Sequence, residues 1–338
     1  MNIYILFTFI YVCLLSLSCV IFKAIKVDPI TIAMIFGVIL YICFLIYVYI
    51  DYKLNPSKYK KTKKNKKFSN NPFKNMFNNS YAWIIGATGV CYNILIIYAY
   101  KKLPISMAIP LNISWLVFAL FLNKIIIHDS INVSKILSLL IVVFGIIIIN
   151  FHHIFKSKIS KQYDYSCNHN KEIFILLLPI GLLLIANFCR ALQVTIIKKV
   201  EEFVNAQDVM LMEGGTTCVL SIIVYLLYIV INNKEWRENL PKKSDVLIVI
   251  LTVLVIAFTG QIFRLISLQK LNETLFTLIC STSVIFAFIF GKMFFNEKIT
   301  LNQIIGAAIV FLGISYTSIV KDLKHGLKYH NVKSLSTI

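Results

Sequence analysis

The sequence has 338 residues, of which 58% are apolar and 14% are charged, and its mean hydropathy is +0.79. A soluble domain is about half apolar and about a quarter charged. The apolar residues of this chain lie in blocks of about twenty, which is the length that spans a hydrocarbon layer of about 30 Å. Composition and distribution together exclude a soluble enzyme, a disordered chain and a disulfide scaffold. They predict an all-α polytopic membrane protein.

Ten blocks are long enough to be transmembrane helices. In chain order the predicted spans are 3–22, 30–50, 81–101, 105–123, 133–154, 173–196, 208–232, 245–268, 274–294 and 301–320. The first span lacks a basic n-region, and its apolar run is longer than the core of a signal peptide, so we interpret it as a membrane helix.

The net charge of +19 could indicate a nucleic-acid partner, but the placement of the charges argues against one. Nine lysines fall between Lys53 and Lys74, in a Lys/Asn-rich stretch without helical periodicity. We interpret 51–80 as a solvated basic loop that sets topology and attracts anionic membrane lipid. With the N-terminus inside, the inner segments hold 18 Lys and Arg and the outer segments hold 14. Both termini and the tail 321–338 are therefore predicted to be cytoplasmic.

An internal repeat organises the chain. Segment 102–146 aligns with 270–314 without a gap, at a constant offset of 168, and eleven of the 45 positions are identical. Five spans per repeat is an odd number, so the two halves must have opposite orientations. Inverted repeats are typical of secondary transporters, whose substrate sites lie near the midplane at the repeat interface. The predicted units are a first repeat at 1–154, an inter-repeat loop at 155–172 and a second repeat at 173–320.

Two stretches carry a resemblance to a known family. They contain Ala108-Ile109-Pro110, Phe118-Ala119-Leu120, Asp129 and Gly145 in the first half, and 283–288, 294–298, 306–308 and Gly313 in the second. These stretches resemble the paired EamA domains of the drug/metabolite transporter superfamily. The segment from 259–263 through Glu297 is most similar to the G branch of solute carrier family 35. The resemblance implies ten helices in two inverted five-helix bundles, with small organic solutes as cargo.

Three ionisable residues lie inside predicted spans, where such residues are rare and are functional candidates by default. Arg190, Glu213 and Arg264 lie about 12, 8 and 9 Å from the inner ends of their spans, at 1.5 Å per residue. We expect one arginine to pair with Glu213 and the other to bind an anionic group of the solute. The alternatives are interhelical hydrogen bonding without a transport role and, for Arg264, snorkelling to the interface.

Polar residues extend this candidate site. Asn187, Arg190 and Gln193 share one face of a helix. Asn93 and Gln261 occupy equivalent mid-span positions in the two halves, and Asn112 follows Pro110, which should kink its helix. The predicted substrate-binding residues are Asn93, Asn112, Arg190, Glu213, Gln261 and Arg264.

Charged residues also match at the span ends. Lys124 and Asp129 in the first half align with Lys292 and Glu297 in the second. We expect a symmetric interfacial salt bridge or turn cap at each end. The functional alternative is a gate that breaks and re-forms during transport.

No enzyme motif is present. The chain has no HExxH, nucleophile elbow, P-loop or CxxC pair, and its six histidines lie in predicted loops, tails or span edges. We expect no catalytic residue, cofactor or metal. The predicted function is a secondary transporter that moves a small organic metabolite, with an anionic metabolite as one option, by alternating access. The alternatives are a membrane-embedded enzyme for acyl or lipid-linked substrates and a non-transporting scaffold. The predicted host membrane is the plasma membrane or an endomembrane, and a homodimer is one option for the oligomeric state.

Overall fold

In a computed structural model, the protein is described over residues 3–55, 76–77, 79–128, 136–137, 140–149, 169–201, 203–232, 242–260, 263, 267, 279–280, 282–313 and 316. The regular secondary structure of these ranges is helical. The helices are α1 (Ile3–Ala24), α2 (Pro29–Leu54), α3 (Ser80–Lys102), α4 (Ile105–Asn112), α5 (Trp115–Leu122), α6 (Leu140–Ile149), α7 (His169–Glu201), α8 (Ala206–Ile231), α9 (Lys243–Val255), α10 (Ser283–Phe295) and α11 (Leu301–Gly313).

Within the described ranges, six helical stretches are long and apolar enough to cross a membrane. They are Ile3–Ala24, Pro29–Leu54, Ser80–Lys102, Ile105–Ile127, Leu177–Glu201 and Gln207–Ile231. Helices α6, α10 and α11 are apolar but shorter. Large apolar side chains are exposed along these helices, as on Leu226 and Ile231 of α8, which suits helices that face lipid. The prediction of an all-α, multi-pass integral membrane protein is confirmed.

The predicted boundaries of the first, second, third, sixth and seventh spans agree with the helices to within five residues, and the fourth span differs. There the helix ends at Asn112, resumes at Trp115 and continues through a π-helical turn, Asn123–Ile127, beyond the predicted end. A second π-helical turn, Ile256–Gly260, extends α9. The predicted spans 133–154, 245–268, 274–294 and 301–320 lie partly outside the described residues.

The break in the fourth span follows one turn after Pro110 and has a partner on a distant helix. Pro110 lies inside α4 and cannot donate to the carbonyl four residues back, and at the break Ile113 and Ser114 donate to carbonyls three residues back. Asn187 of α7 is fully buried, and its side-chain Nδ2 donates to the Leu111 carbonyl at 3.0 Å and to the Ser114 hydroxyl at 2.8 Å. A neighbouring helix therefore supplies a donor at the break, as interrupted helices inside a membrane require.

Helices α2 and α8 pack closely against each other and run antiparallel. A Cβ on Gly37 would meet Ser221, whereas a Cβ on Gly214 would meet Phe44. Gln207, at the start of α8, donates to Asp51, near the end of α2, at 3.2 Å. Residues nearer the end of α2 therefore contact residues nearer the start of α8. Glycine at these positions lets the two backbones approach.

Helices α6 and α11 show the same arrangement. A Cβ on Gly145 would lie 2.8 Å from the Gly306 carbonyl and 2.7 Å from the Val310 side chain, and a Cβ on Gly306 would lie 2.6 Å from the Ile149 side chain. The order of these contacts again makes the two helices antiparallel.

One turn occurs twice with the same backbone geometry. Among the described non-glycine residues, His128 and Asn296 have positive φ, at 61° and 50°. Their numbers differ by 168, the offset of the sequence repeat. Each N–H donates to a carbonyl five residues earlier, that of Asn123 in the first case and Gly291 in the second. The aligned segments therefore share a helix ending as well as a sequence.

The helix ends collect at two opposite ends of the molecule. We call one the Lys23 end, where Lys23, Leu103, Ile105 and Glu297 meet. We call the other the Asp51 end; it contains the Asp51–Gln207 contact and Lys199, which donates to the Ile126 carbonyl at 3.4 Å.

Candidate functional site

The structure brings Arg190 and Glu213 into one hydrogen-bonded group through a third residue. Arg190 Nη1 donates to Gln193 Oε1 at 2.7 Å. Gln193 Nε2 lies 3.3 Å from Glu213 Oε1 and 3.3 Å from the Ile85 carbonyl oxygen. The amide can do this because it has an acceptor for the guanidinium and two donor hydrogens for the other oxygens. Arg190 and Glu213 are thus linked through Gln193 instead of forming the direct ion pair that was one expectation.

This group is held in the interior by helices α3, α7 and α8. Gln193 is 1% exposed and Glu213 is 6% exposed. A carboxylate in such surroundings needs hydrogen bonds to offset its lost hydration. The bridge from Gln193 supplies one and also fixes the position of the arginine.

An aromatic residue covers the other side of Arg190. Its guanidinium carbon lies 5.3 Å from the centre of the Tyr92 ring, within cation–π range. Asn112, at the end of α4, lies beside the Tyr92 hydroxyl, and its side-chain Oδ1 is buried without a hydrogen-bond partner in the described part of the chain. We call Tyr92, Asn112, Arg190, Gln193 and Glu213 the Arg190 group.

Arg190 has binding capacity left. A guanidinium carries five N–H donors. Within the described part of the chain, that of Arg190 makes one hydrogen bond, to Gln193, and the residue is only half-buried. The free donors suit the planar oxygens of a carboxylate or phosphate.

The other predicted site residues are placed differently. Asn93 is half-buried on α3, next to Tyr92, and no described hydrogen bond joins it to the Arg190 group. Gln261 and Arg264 lie outside the described residues. The predicted set therefore comes together in part, as Asn112, Arg190 and Glu213.

Sequence reasoning left three residues of this region out of the predicted site. Gln193 and Asn187 had a signal, since they share a helical face with Arg190. Tyr92 had none beyond its position beside Asn93, because an aromatic residue in an apolar span has no distinctive pattern.

A second charged group lies at the Lys23 end. The Glu297 carboxylate accepts from the Ile105 N–H at 2.7 Å and from the Ser106 N–H at 2.9 Å, and Lys23 Nζ lies 3.2 Å from it. We call Lys23, Ile105, Ser106 and Glu297 the Glu297 group. The salt bridge that Glu297 makes at this span end is with Lys23 and not with the aligned Lys292. Asp129, its counterpart in the first half, lies outside the described residues.

The carboxyl of Glu297 stays ionised in this setting. Burial favours the neutral form, but hydrogen bonds from Ser106 and Ile105, with the charge of Lys23, outweigh it and hold the Glu297 pKa below its ordinary value.

The fold and these two groups define a helical multi-pass membrane protein with charged residues between its helices. Its sequence matches the EamA-like transporter family over residues 2–151 and 177–319. The protein belongs to this family, and with it to the drug/metabolite transporter superfamily, as the resemblance of its repeats predicted.

No curated protein matches the sequence. Among solved structures, the crystal structure of a protein whose description gives no name is similar in fold. Its TM-score is 0.57 and its sequence identity is 13%. The similarity covers 94% of this chain and 98% of that one. At this identity the likeness shows a shared fold.

Proposed function

We propose that this protein is a secondary transporter that moves a small organic solute across its membrane by alternating access. Its two halves, 1–154 and 173–320, form inverted five-helix repeats joined by 155–172, which gives ten transmembrane helices. The antiparallel contacts of α2 with α8 and of α6 with α11 support this arrangement. The repeated turn at His128 and Asn296 supports it independently. The segment 259–263 through Glu297 favours the G branch of solute carrier family 35.

The Arg190 group is the proposed solute site, and the half-buried guanidinium with free donors is the observation that carries this proposal. Helices of both halves contribute to the group, as expected for a site at a repeat interface. Arg190 binds an anionic group of the solute, Gln193 and Glu213 hold the guanidinium, and Tyr92 and Asn112 lie beside it. Asn93, Gln261 and Arg264 remain proposed members of the site.

Flux into proteoliposomes tests this function. The panel is dicarboxylates, sugar nucleotides, amino acids and amines, each assayed with the wild type, Arg190→Gln and Arg190→Lys. We expect saturable uptake of an anionic compound that falls at least tenfold in Arg190→Gln and less in Arg190→Lys, which keeps the charge. Ile185→Ala, on the exposed face of the same helix, serves as the matched control. Unchanged uptake in Arg190→Gln would contradict the assignment of Arg190, and absence of saturable uptake across the panel would contradict the transporter.

The proposed topology places both termini, the loop 51–80 and the tail 321–338 in the cytoplasm, so that the Lys23 end faces the opposite side. A cysteine introduced by Asn65→Cys should react with an impermeant maleimide only after sealed cells are permeabilised. Equal labelling of sealed cells would reverse the orientation while leaving the transport proposal in place.

The membrane-embedded enzyme and the scaffold are not favoured, because the family is one of transporters. The proposed partners are the solute and the membrane lipid around the helices, with no nucleic acid among them. The proposed oligomeric state is a monomer or a homodimer.

A further inference from the structure

The first turn of α4 depends on a residue from the other half of the chain. The helix follows Pro104, which provides no side-chain cap. The Pro104 carbonyl accepts from Met107 and Ala108, so the two N–H groups without a local acceptor are those of Ile105 and Ser106. Both donate to Glu297, which lies about 190 positions further along the chain.

Lys23 ties a third segment to the same carboxylate. Its ammonium lies 2.7 Å from the Leu103 carbonyl and 3.2 Å from Glu297 Oε1, and it sits 4.8 Å from the centre of the Phe295 ring. One side chain therefore bonds the end of α3, packs on the end of α10 and neutralises Glu297. Gln303 of α11 adds a longer contact, with its Nε2 3.5 Å from the Ser106 hydroxyl.

The carboxylate fits because the helix beside it leaves room. A Cβ on Gly291 of α10 would lie 2.8 Å from Glu297 Oε2, closer than real Cβ contacts. An alanine there would displace the carboxylate without altering any charge. The left-handed Asn296 turns the chain directly before Glu297.

These contacts join α1 and α4 of the first half to the α10–α11 connection of the second. If the halves separate at this end, the two N–H groups, the ammonium and the carboxylate all lose their partners unless water enters. Separation and hydration of the Lys23 end are therefore coupled through Glu297.

We propose that the Glu297 group is the latch that closes the Lys23 end of the transporter, and that releasing Glu297 from α4 opens this end to water. This inference rests on the proposed alternating-access function. It keeps Glu297 in the gating role that the sequence had suggested for the matched span ends, and it replaces Lys292 with Lys23.

Thiol accessibility tests the latch without any solute. Leu103→Cys places a reporter at the Lys23 end, where Leu103 is 1% exposed, and Met212→Cys places one toward the Asp51 end, where Met212 is 0% exposed. The full-length protein in nanodiscs, with both faces accessible, is treated with a hydrophilic maleimide. Labelling is measured on each reporter peptide by mass spectrometry, so the native cysteines can remain.

Each reporter is combined with Glu297→Gln, Gly291→Ala or Lys23→Gln. Asp245→Asn, which removes a carboxylate from the first turn of α9, is the matched control. We expect Glu297→Gln and Gly291→Ala to raise the labelling rate of Leu103→Cys at least tenfold, and Lys23→Gln to raise it less because both N–H donors keep their acceptor. The rate at Met212→Cys should not rise, and Asp245→Asn should change neither reporter.

Unchanged labelling of Leu103→Cys in both Glu297→Gln and Gly291→Ala would overturn the latch. An equal rise at both reporters would also overturn it, because Glu297 would then be a cap required for folding. If Glu297→Gln does not fold, Gly291→Ala decides the outcome, since it retains every charged side chain. The proposed transport function fails separately, by the absence of flux in the wild type.

Discussion

Glu213 and Glu297 are both carboxylates held among the helices of a membrane protein, and their surroundings differ. Glu297 accepts two backbone N–H groups and faces an ammonium. Glu213 accepts from the neutral amide of Gln193, which also holds Arg190. In the Glu297 group, the charge of Lys23 is neutralised by Glu297. The second leaves a guanidinium with free donors, so the Glu297 group is suited to closure and the Arg190 group to binding.

The largest expected effect comes from removing the amide that distinguishes the two groups. Gln193→Leu removes the amide N–H groups that Glu213 and the Ile85 carbonyl accept from. It also removes the amide oxygen to which Arg190 donates. Leaving such buried groups without this partner should cost about 2–3 kcal/mol of unfolding free energy. Thermal unfolding in detergent measures the loss, and Gln193→Glu, which keeps an acceptor for Arg190 but adds a second carboxylate near Glu213, should not restore it. If Gln193→Leu unfolds at the same temperature as the wild type, the hydrogen bonds of Gln193 do not stabilise the fold.

The next effect is a pH dependence that comes from the Glu297 group. Its folded-state pKa lies below the ordinary value of about 4.3. A lowered pKa stabilises the fold above the ordinary pKa, and this stabilisation is lost as the pH falls through the folded-state value. The difference in unfolding temperature between the wild type and Glu297→Gln should therefore be constant from pH 7 to 5.5 and shrink in more acidic buffer.

The charged group in direct contact with Glu297 is Lys23. Lys101, at the neighbouring helix end, donates to the Ile25 carbonyl. Asp245→Asn, which removes a carboxylate from the first turn of α9, is measured beside it as the matched control. A difference for Glu297→Gln that grows on acidification would contradict the charged latch.

A matched pair of glycines separates the two groups further. A Cβ on Gly89 would lie 2.8 Å from Gln193 Nε2, just as one on Gly291 would lie 2.8 Å from Glu297 Oε2. Each alanine substitution should destabilise the protein by about 1 kcal/mol through one weakened hydrogen-bonded group. Gly89→Ala should lower solute binding, whereas Gly291→Ala should change accessibility at the Lys23 end.

Gly181→Ala is the control for both, since a Cβ there meets nothing within 4 Å. If Gly89→Ala and Gly291→Ala exchange their effects, the division between a binding group and a closing group is wrong.

Much of the helical framework could be predicted from the sequence, because twenty-residue apolar blocks and the offset of 168 are local or repetitive signals. The break at 113–114 was foreseen only as a kink at Pro110, since the donor that satisfies it, Asn187, comes from α7. The partner of Glu297 was missed for a similar reason. Lys292 is near it in sequence, but Lys23 meets it only after helices from both halves have packed.

The same limit applies within the Arg190 group. Periodicity placed Gln193 and Arg190 on one face, but it could not show that the Gln193 amide would also reach Glu213 on α8. Tyr92 had no signal beyond its position beside Asn93, because its ring becomes relevant only through the cation–π contact with Arg190.

The smallest expected effect concerns Tyr92. Tyr92→Phe keeps the ring over Arg190 and removes only the hydroxyl that lies beside Asn112. A full neutral hydrogen bond contributes about 1 kcal/mol, or roughly a fivefold change in an equilibrium constant, and this sets the upper limit for removing one hydroxyl. We expect solute affinity to fall by about this factor or less, with normal protein yield, whereas Tyr92→Leu should lower it further because the cation–π contact is also lost. Equal affinities for Tyr92→Leu and the wild type, measured by uptake at varied solute concentration, would place Tyr92 outside the binding group and leave Arg190 to act with Gln193 and Glu213.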